Sequence, residues 1–392
     1  MRLAVLTSHP IQYYAPLFRE LARDLDLHVF FAHKASPSEQ AAAGFGANFD
    51  WDVDLISGYA HTFLANVARQ PGTGHFSGCD TPEIGARLQQ GGFDVLLVLG
   101  WHLKSFLQGI VAAKRLALPV LVRGDSHLGT PRSRLKTMVK RLAYPPLLRM
   151  FDGALYVGQR SRAYYEHYGY PNDRLTFSPH CVDTEWFAAR ATAPARAELR
   201  KKLGIGAETK VVLFAGKLLP FKRPLDVIEA AAMCRSRGLK IEVIVAGDGM
   251  MRQAVMAEAA ASNVPLHCLG FCNQTEMPAA YAAADCLVLP SESETWGLVA
   301  NEALACGKPV IVSGACGCAP DLADGAAGIS FTCGDVQALA AAMETMLKNP
   351  PSAQAIAALS ASWTLQAAAN GIRKAVDKVL PVKLSEAYPR VL

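Results

Sequence analysis

Short apolar runs that alternate with helical patterns constrain the fold more than any other feature of this chain. Asp94–Leu99 contains a continuous apolar run, and Cys286–Leu289 is another. Runs of this length and kind are typical of strands buried on both faces of a parallel sheet. Segments with helical periodicity separate them in both halves of the chain. The pattern therefore predicts βαβ units in two Rossmann-like α/β domains, each built on a parallel sheet.

Both halves contain a series of predicted strands. No G-x-G-x-x-G motif follows the first one, so a nicotinamide-binding Rossmann domain is not expected. The predicted strands of the first half are Leu3–Leu6, Asp26–Ala32, Asp94–Leu99, Pro119–Arg123 and Gly153–Val157. Those of the second half are Val211–Ala215, Ile241–Ala246, Pro265–Cys268, Cys286–Leu289 and Pro309–Val312.

The composition is that of a globular protein with a modest positive charge. The 392 residues are 51% hydrophobic and 19% charged, and the net charge of +5 does not indicate a nucleic-acid partner. No apolar run approaches the roughly 20 residues that span a bilayer, and the first residues do not have the pattern of a signal peptide. The ten cysteines lack the paired spacing of a zinc site. We therefore expect reduced thiols and a cytoplasmic protein.

The stretch Pro290–Pro309 carries the most specific chemistry in the chain. A strand leads into a polar loop with Glu294, and a helix begins after Gly297 with Glu302 in its early turns. The free N–H groups and the dipole of a helix N-terminus favour a phosphate, and glycine lets a ligand approach the backbone. Carboxylates would repel that phosphate, so the two glutamates more plausibly bind hydroxyl groups on either side of it. A sugar and a ribose fit this arrangement.

This stretch resembles the E-x7-E signature of the retaining glycosyltransferases of family 4, which have the GT-B fold. The resemblance extends to Phe214–Ala232, Val243–Gly249, Leu269–Phe271 and Ser8–Leu21. It implies a GT-B chain with an acceptor-binding domain at residues 1–185 and a nucleotide-sugar domain at 186–365. It also implies that a C-terminal helix, 366–392, crosses back onto the first domain.

The resemblance assigns roles in donor binding. Lys217 and Lys222 would neutralise a diphosphate, although the family usually has arginine where this chain has Lys217. Glu294 would contact the hydroxyls of the donor sugar, and Glu302 both hydroxyls of the ribose. The remaining donor-binding candidates are Gln12, Gly216, Gly247, Phe271, Gly297 and, through their backbone N–H groups, Leu298 and Val299.

A loop of the first domain supplies two candidates for the acceptor side. Asp125 and His127 follow the strand that ends at Arg123, and in relatives this loop faces the transferred sugar. Either residue could orient the acceptor hydroxyl or accept its proton late in the reaction. The sequence does not choose between them.

A possible metal motif lies in Phe49–Asn66. Asp52 and Asp54 form a D-x-D pattern, which binds metal in transferases of another fold. In a GT-B chain we take this match as chance, and we expect no metal and no cofactor. The segment resembles one that some bacterial members of the family place near the acceptor.

The segment Arg132–Leu148 predicts a basic amphipathic helix. Five basic residues occur between Arg132 and Arg141 without an acid, and Leu135, Met138, Val139 and Leu142 recur at helical spacing. Such a helix can lie on an anionic membrane. The alternative is an ordinary surface helix whose apolar side packs inward.

The resemblance implies a metal-independent, retaining hexosyltransferase that uses a nucleotide-diphosphate sugar, and UDP is favoured because it is the more frequent nucleotide in the family. The acceptor would be a glycan or a lipid-linked sugar in the synthesis of a cell-surface polysaccharide or glycoconjugate. The enzyme would be cytoplasmic and peripheral on the inner face of the plasma membrane. Two alternatives stay open, a non-hydrolysing sugar-nucleotide epimerase and a non-catalytic module that binds sugar nucleotides.

Overall fold

A computed structural model of the chain describes residues 1–36, 49–130 and 133–380, with only the backbone of 134–136. The first half contains seven strands and five helices in that part of the chain. The strands are β1 (Arg2–Thr7), β2 (Asp26–Phe31), β3 (Ala60–Phe63), β4 (Val95–Val98), β5 (Val120–Gly124), β6 (Gly153–Tyr156) and β7 (Leu175–Phe177). The helices are α1 (Tyr14–Ala22), α2 (Ile84–Gly91), α3 (Lys104–Arg115), α4 (Arg134–Leu148) and α5 (Gln159–His167).

The second half repeats this alternation. Its strands are β8 (Lys210–Ala215), β9 (Ile241–Ala246), β10 (Leu266–Gly270), β11 (Cys286–Leu289), β12 (Val310–Ser313), β13 (Asp324–Gly325) and β14 (Gly328–Phe331). Its helices are α6 (Thr184–Arg190), α7 (Ala193–Leu203), α8 (Pro224–Ser236), α9 (Arg252–Ala261), α10 (Met277–Ala283), α11 (Leu298–Ala305), α12 (Val336–Lys348), α13 (Ala353–Ser360) and α14 (Leu365–Val379).

Each half forms one sheet. The strand orders are β3-β2-β1-β4-β5-β6-β7 and β10-β9-β8-β11-β12-β14-β13, and every pairing except β13 with β14 is parallel. Successive residues of a strand enter the cores on opposite faces; on β8, Val212 belongs to one apolar cluster and Leu213 to another. The predicted fold of two parallel α/β sheets is confirmed. The short strands β3, β7, β13 and β14 were not predicted, because polar residues or glycine interrupt them and leave no continuous apolar run.

The last described helix packs on the first sheet. Ala368, Ile372 and Val376 of α14 share a buried cluster with Leu3 and Val5 of β1. At Gly371 a Cβ atom would lie 2.1 Å from a backbone oxygen of β7, so the close approach requires glycine. The helix ends at Val379, and residues 381–392 of the predicted helix lie outside the described residues. The boundary at 185/186 stays a prediction.

Among the helices of the described residues, none is both long and apolar enough to cross a bilayer.

Candidate active site

One cavity brings together the predicted donor-binding residues. It has a volume of about 610 Å³, within the usual range for small-molecule sites, and lies where loops after β8, β9 and β11 face the first domain. In parallel sheets the carboxyl ends of the strands share one edge, so these loops converge. Predicted residues in its lining are Gln12, Gly216, Lys217, Lys222, Gly247, Phe271, Glu294, Gly297, Leu298, Val299 and Glu302, together with Asp125.

The start of α11 shapes one wall of this cavity. Gly297 precedes the helix with a φ of +109°, a left-handed conformation that favours glycine. A Cβ atom there would also lie 2.6 Å from the side chain of Leu289. The next two residues, Leu298 and Val299, line the cavity at the positive end of the helix dipole. The wall can therefore accept an anion through backbone N–H groups.

Two lysines add positive charge next to this helix start. The ammonium group of Lys222 forms an ion pair with the Glu294 carboxylate. Burial, and then the like charge of Lys222, lower the pKa of Lys217. Two ammonium groups beside one carboxylate leave this end of the cavity with a net positive charge, which suits a diphosphate.

Glu302 lies at the bottom of the cavity with 3% of its surface exposed. Its two carboxylate oxygens accept hydrogen bonds from the hydroxyls of Tyr13, at 2.9 Å, and Tyr281, at 2.6 Å. Tyr13 belongs to the first half of the chain, so its bond joins the two sheets across the cavity. Burial raises the pKa of Glu302 to about 7, because a charged carboxylate is poorly solvated there.

Asp125 and His127 occupy different environments. Asp125 lines the cavity, with His180 Nε2 3.7 Å from its carboxylate and Thr295 as a hydrogen-bonding neighbour. Burial raises the pKa of Asp125, but the hydrogen bond and charge of His180, the hydrogen bond of Thr295 and a backbone hydrogen bond together outweigh it, so the pKa is lower than usual. His127 is buried behind the loop, where Nδ1 accepts from the Gly129 N–H and Nε2 contacts the Glu294 carbonyl oxygen at 2.9 Å. Of the two candidates, Asp125 faces the cavity and His127 does not.

The D-x-D carboxylates are already occupied by hydrogen-bond donors. Asp52 accepts bonds from the backbone N–H and the hydroxyl of Thr275. Asp54 accepts from the backbone N–H groups of Ile56 and Ser57. A hydrogen bond from the Ser57 side chain, and then these two N–H groups, lower the pKa of Asp54 to about 2. Within residues 1–36, 49–130 and 133–380, no cluster of three or more His, Cys, Asp or Glu side chains could hold a metal ion.

The sequence did not identify four side chains that line the cavity or hold one of its carboxylates. Tyr13 and Tyr281 hold Glu302, His180 faces Asp125, and Trp51 forms part of the aromatic end. Tyr13 adjoins the predicted Gln12, and His180 lies in the turn that links the two halves, so these two had a local signal. Trp51 had none, because its place in the cavity wall depends on how the domains meet.

Glu302→Gln should flatten the pH dependence of stability. The pKa of Glu302 is about 7 in the folded protein, against about 4.3 for an unfolded glutamate. The folded state therefore keeps a proton that the unfolded chain releases, and this contribution to the free energy of unfolding is lost as the pH rises to about 7. Urea unfolding at pH 5 and pH 8 should show a larger loss for the wild type than for Glu302→Gln.

The matched control is Glu208→Gln, which removes an exposed carboxylate. It should keep the pH dependence of the wild type. If Glu302→Gln also keeps it, the carboxylate titrates at its ordinary pKa.

The second half of the chain matches a known family. Residues 195–362 match the family described as glycosyl transferases group 1. The chain is 31% identical to a D-inositol 3-phosphate glycosyltransferase of Thermobispora bispora over 248 residues, which are 59% of this chain and 55% of that protein. It thus spans about half the length of that relative. It is 28% identical to the protein of the same name from Nocardiopsis dassonvillei, over 76% of this chain and 72% of that protein.

The fold is shared along nearly the whole chain. The structure of Anabaena Alr3699/HepE in complex with UDP aligns with a TM-score of 0.73 at 18% identity. The alignment covers 97% of this chain and 100% of that one. The chain therefore has the GT-B fold, and its residues 195–362 are similar to the glycosyl transferases of group 1.

Proposed function

We propose that the protein is a retaining glycosyltransferase of family 4 that transfers a sugar from a nucleotide-diphosphate sugar to an acceptor hydroxyl. The observation that carries this proposal is the cationic end of the cavity, where Lys217 and Lys222 adjoin the N-terminus of α11. Such a site stabilises a diphosphate, and does so most strongly as negative charge develops on it when it leaves. UDP is the favoured nucleotide, and the solved neighbour from Anabaena was crystallised with UDP.

The chemistry follows from the arrangement of charges. In a front-face mechanism the bond between the anomeric carbon and the diphosphate oxygen breaks, and the acceptor oxygen attacks from the same side. The leaving phosphate oxygen takes the acceptor's proton. Lys217, Lys222 and the helix N–H groups hold the diphosphate, while Glu302 binds the ribose. Glu294 contacts the sugar, and Asp125 orients the acceptor hydroxyl.

The acceptor and the location of the enzyme belong to the same proposal. We infer a glycan or lipid-linked acceptor, used for cell-surface polysaccharide or glycoconjugate synthesis at the inner face of the plasma membrane. The support is the basic helix α4, in which Met138, Val139 and Leu142 are 58%, 53% and 75% exposed. The alternative was a surface helix whose apolar side packs against the protein, and these three exposed side chains do not pack in that way. Arg132 lies outside the described residues, as do the side chains of Arg134, Leu135 and Lys136.

A panel of nucleotides and nucleotide sugars tests the function. UDP and one UDP-sugar should raise the melting temperature more than GDP or ADP, because a ligand that binds only the folded state stabilises it. The same UDP-sugar should be consumed in the presence of an acceptor, with the anomeric configuration retained in the product. Excess EDTA should leave this turnover intact, since lysines and a helix N-terminus take the place of a metal ion.

The possible failures of this test differ from one another. Release of a free epimerised sugar would identify an epimerase, and binding without turnover across a broad acceptor panel would identify a binding module. Complete loss in EDTA with recovery in manganese would contradict the metal-independent mechanism and make Asp52 and Asp54 candidates. As a control, Glu302→Ala should lose most of the stabilisation by UDP, because two hydrogen bonds to the ribose disappear.

Lys222→Ala should lower turnover more than donor affinity. The charge on the diphosphate grows in the transition state, so a stabilising ammonium group acts mainly on kcat. We expect a loss of roughly 100-fold or more in kcat, as for the removal of one key donor to a developing anion. Lys222→Arg should retain part of the activity, and the exposed Lys201→Ala should retain all of it. Equal changes in the dissociation constant and in kcat would reduce Lys222 to a binding role.

Helix α4 should bind anionic vesicles. Each basic residue near such a surface contributes about 1 kcal/mol before screening by salt. Changing Arg134, Lys136, Lys140 and Arg141 to Gln should release the protein in co-sedimentation with phosphatidylserine vesicles and leave UDP binding unchanged.

The control variant changes Lys201 and Lys202, which are exposed on α7 in the second domain, to Gln. It should sediment like the wild type. If the wild type stays in the supernatant at both low and moderate salt, α4 is an ordinary surface helix and a soluble acceptor is favoured.

A further inference from the structure

A segment of the first domain reaches over the aromatic end of the cavity. We call residues 49–52 the strap. It contacts the loop 271–275, which follows β10 in the second sheet. The resemblance implies a place near the acceptor for this segment, and in the structure it contacts the loop that follows β10 in the other domain.

The strap forms an aromatic cluster with the second domain. The rings of Phe49 and Phe271 lie 4.2 Å apart between centroids at 34°, and Trp51 meets Phe49 edge-on at 5.0 Å. Trp51 and Phe271 line the cavity, whereas Phe49 does not. Phe49 therefore lies behind the two rings, and Trp51 is an aromatic side chain that the first domain presents to a ligand next to Phe271.

Polar contacts fix the position of the strap. The side-chain amide of Asn273 donates to the Asp50 carbonyl oxygen at 2.8 Å, and its oxygen faces the Asp52 N–H at 3.5 Å. The Asp52 carboxylate accepts from the backbone N–H of Thr275 at 3.1 Å and from the Thr275 hydroxyl. These contacts lie on both sides of Trp51 and hold its backbone against the second domain, so the ring has a defined place in the wall.

The cavity then has three chemically different parts. The lysines and the start of α11 form a cationic part, and Glu302 is a buried carboxylate that can accept from hydroxyls. Trp51, Phe271 and Met277 form an apolar part with flat rings. A nucleoside diphosphate has three matching parts, the diphosphate, the ribose and a planar base, and aromatic side chains bind bases by stacking.

We propose that Trp51 is a base-contacting residue that the first domain contributes to the nucleotide site, with Phe49 and Asp52 as its positioning residues. The inference rests on the proposed use of a nucleotide-diphosphate donor. Its consequence is that the second domain alone does not complete the base subsite. The base of the nucleotide bridges the two domains, and its contribution to affinity depends on the strap.

The test separates the base from the rest of the ligand. Isothermal titration measures the binding of UDP and of inorganic pyrophosphate to the wild type, Trp51→Leu and Trp51→Phe. Trp51→Leu keeps apolar volume without an aromatic face and should weaken UDP binding roughly 10-fold or more, as expected for a lost base stack. Trp51→Phe should stay within a few fold of the wild type. Pyrophosphate has no base, so all three proteins should bind it equally.

Paired carboxylate variants test the positioning role. Asp52→Asn should also weaken the binding of UDP and leave the binding of pyrophosphate unchanged, because it loosens the strap. Asp54→Asn is the matched control. That carboxylate accepts from the N–H groups of its own turn, Ile56 and Ser57, so the variant should leave UDP binding unchanged.

Three results would overturn the inference. In the first, Trp51→Leu weakens the binding of UDP and of pyrophosphate equally. In the second, Trp51→Leu weakens the binding of neither ligand. In the third, Trp51→Phe binds UDP as weakly as Trp51→Leu does. A wild type that binds pyrophosphate and no nucleotide would instead overturn the proposed donor, and the base subsite with it. Wild-type UDP binding with an unaffected Trp51→Leu would leave the proposed function standing and remove only the role of the strap.

Discussion

The convergence of parallel strands at one edge of a sheet is the constraint on which this site depends. Each strand of a parallel sheet ends at the same edge, so loops that are far apart in sequence come together without a dedicated scaffold. Lys217 follows β8, Gly247 follows β9 and Glu294 follows β11, and all three line one cavity. Asp125 follows β5 in the other sheet and faces them. The chemistry is carried by loops, and the sheets set the distances between them.

The fold and most of the residues that line the cavity were predictable from sequence because their signals are local. A buried strand, a polar loop, a glycine and a helix start are all contained in residues 286–302, and each has a physical meaning without its neighbours. Gly297 is an example. The sequence predicts a helix that begins just after this glycine, and the left-handed φ observed there explains why glycine is favoured at that position. The bounds of the longer strands were predicted within one or two residues for the same reason.

What the sequence did not reveal depends on how the two domains meet. No local pattern in residues 49–52 indicates a contact with Phe271, more than two hundred residues away. The choice between Asp125 and His127 was open for a similar reason. Both follow the same strand, and only the position of the Glu294 loop decides that one side chain is buried behind it and the other faces the cavity.

Contacts between the domains surround the cavity on several sides. Tyr13 bonds to Glu302, His127 to the carbonyl of Glu294, and Asp52 to Thr275. Two of these contacts involve the residues that would hold the ribose and the sugar. A ribose that binds Glu302 must either share its carboxylate oxygens with the tyrosine hydroxyls or displace Tyr13. A nucleotide that bound Glu302 in this way would compete with or share a bond that joins the two domains, so its binding would be linked thermodynamically to the strength of that bond.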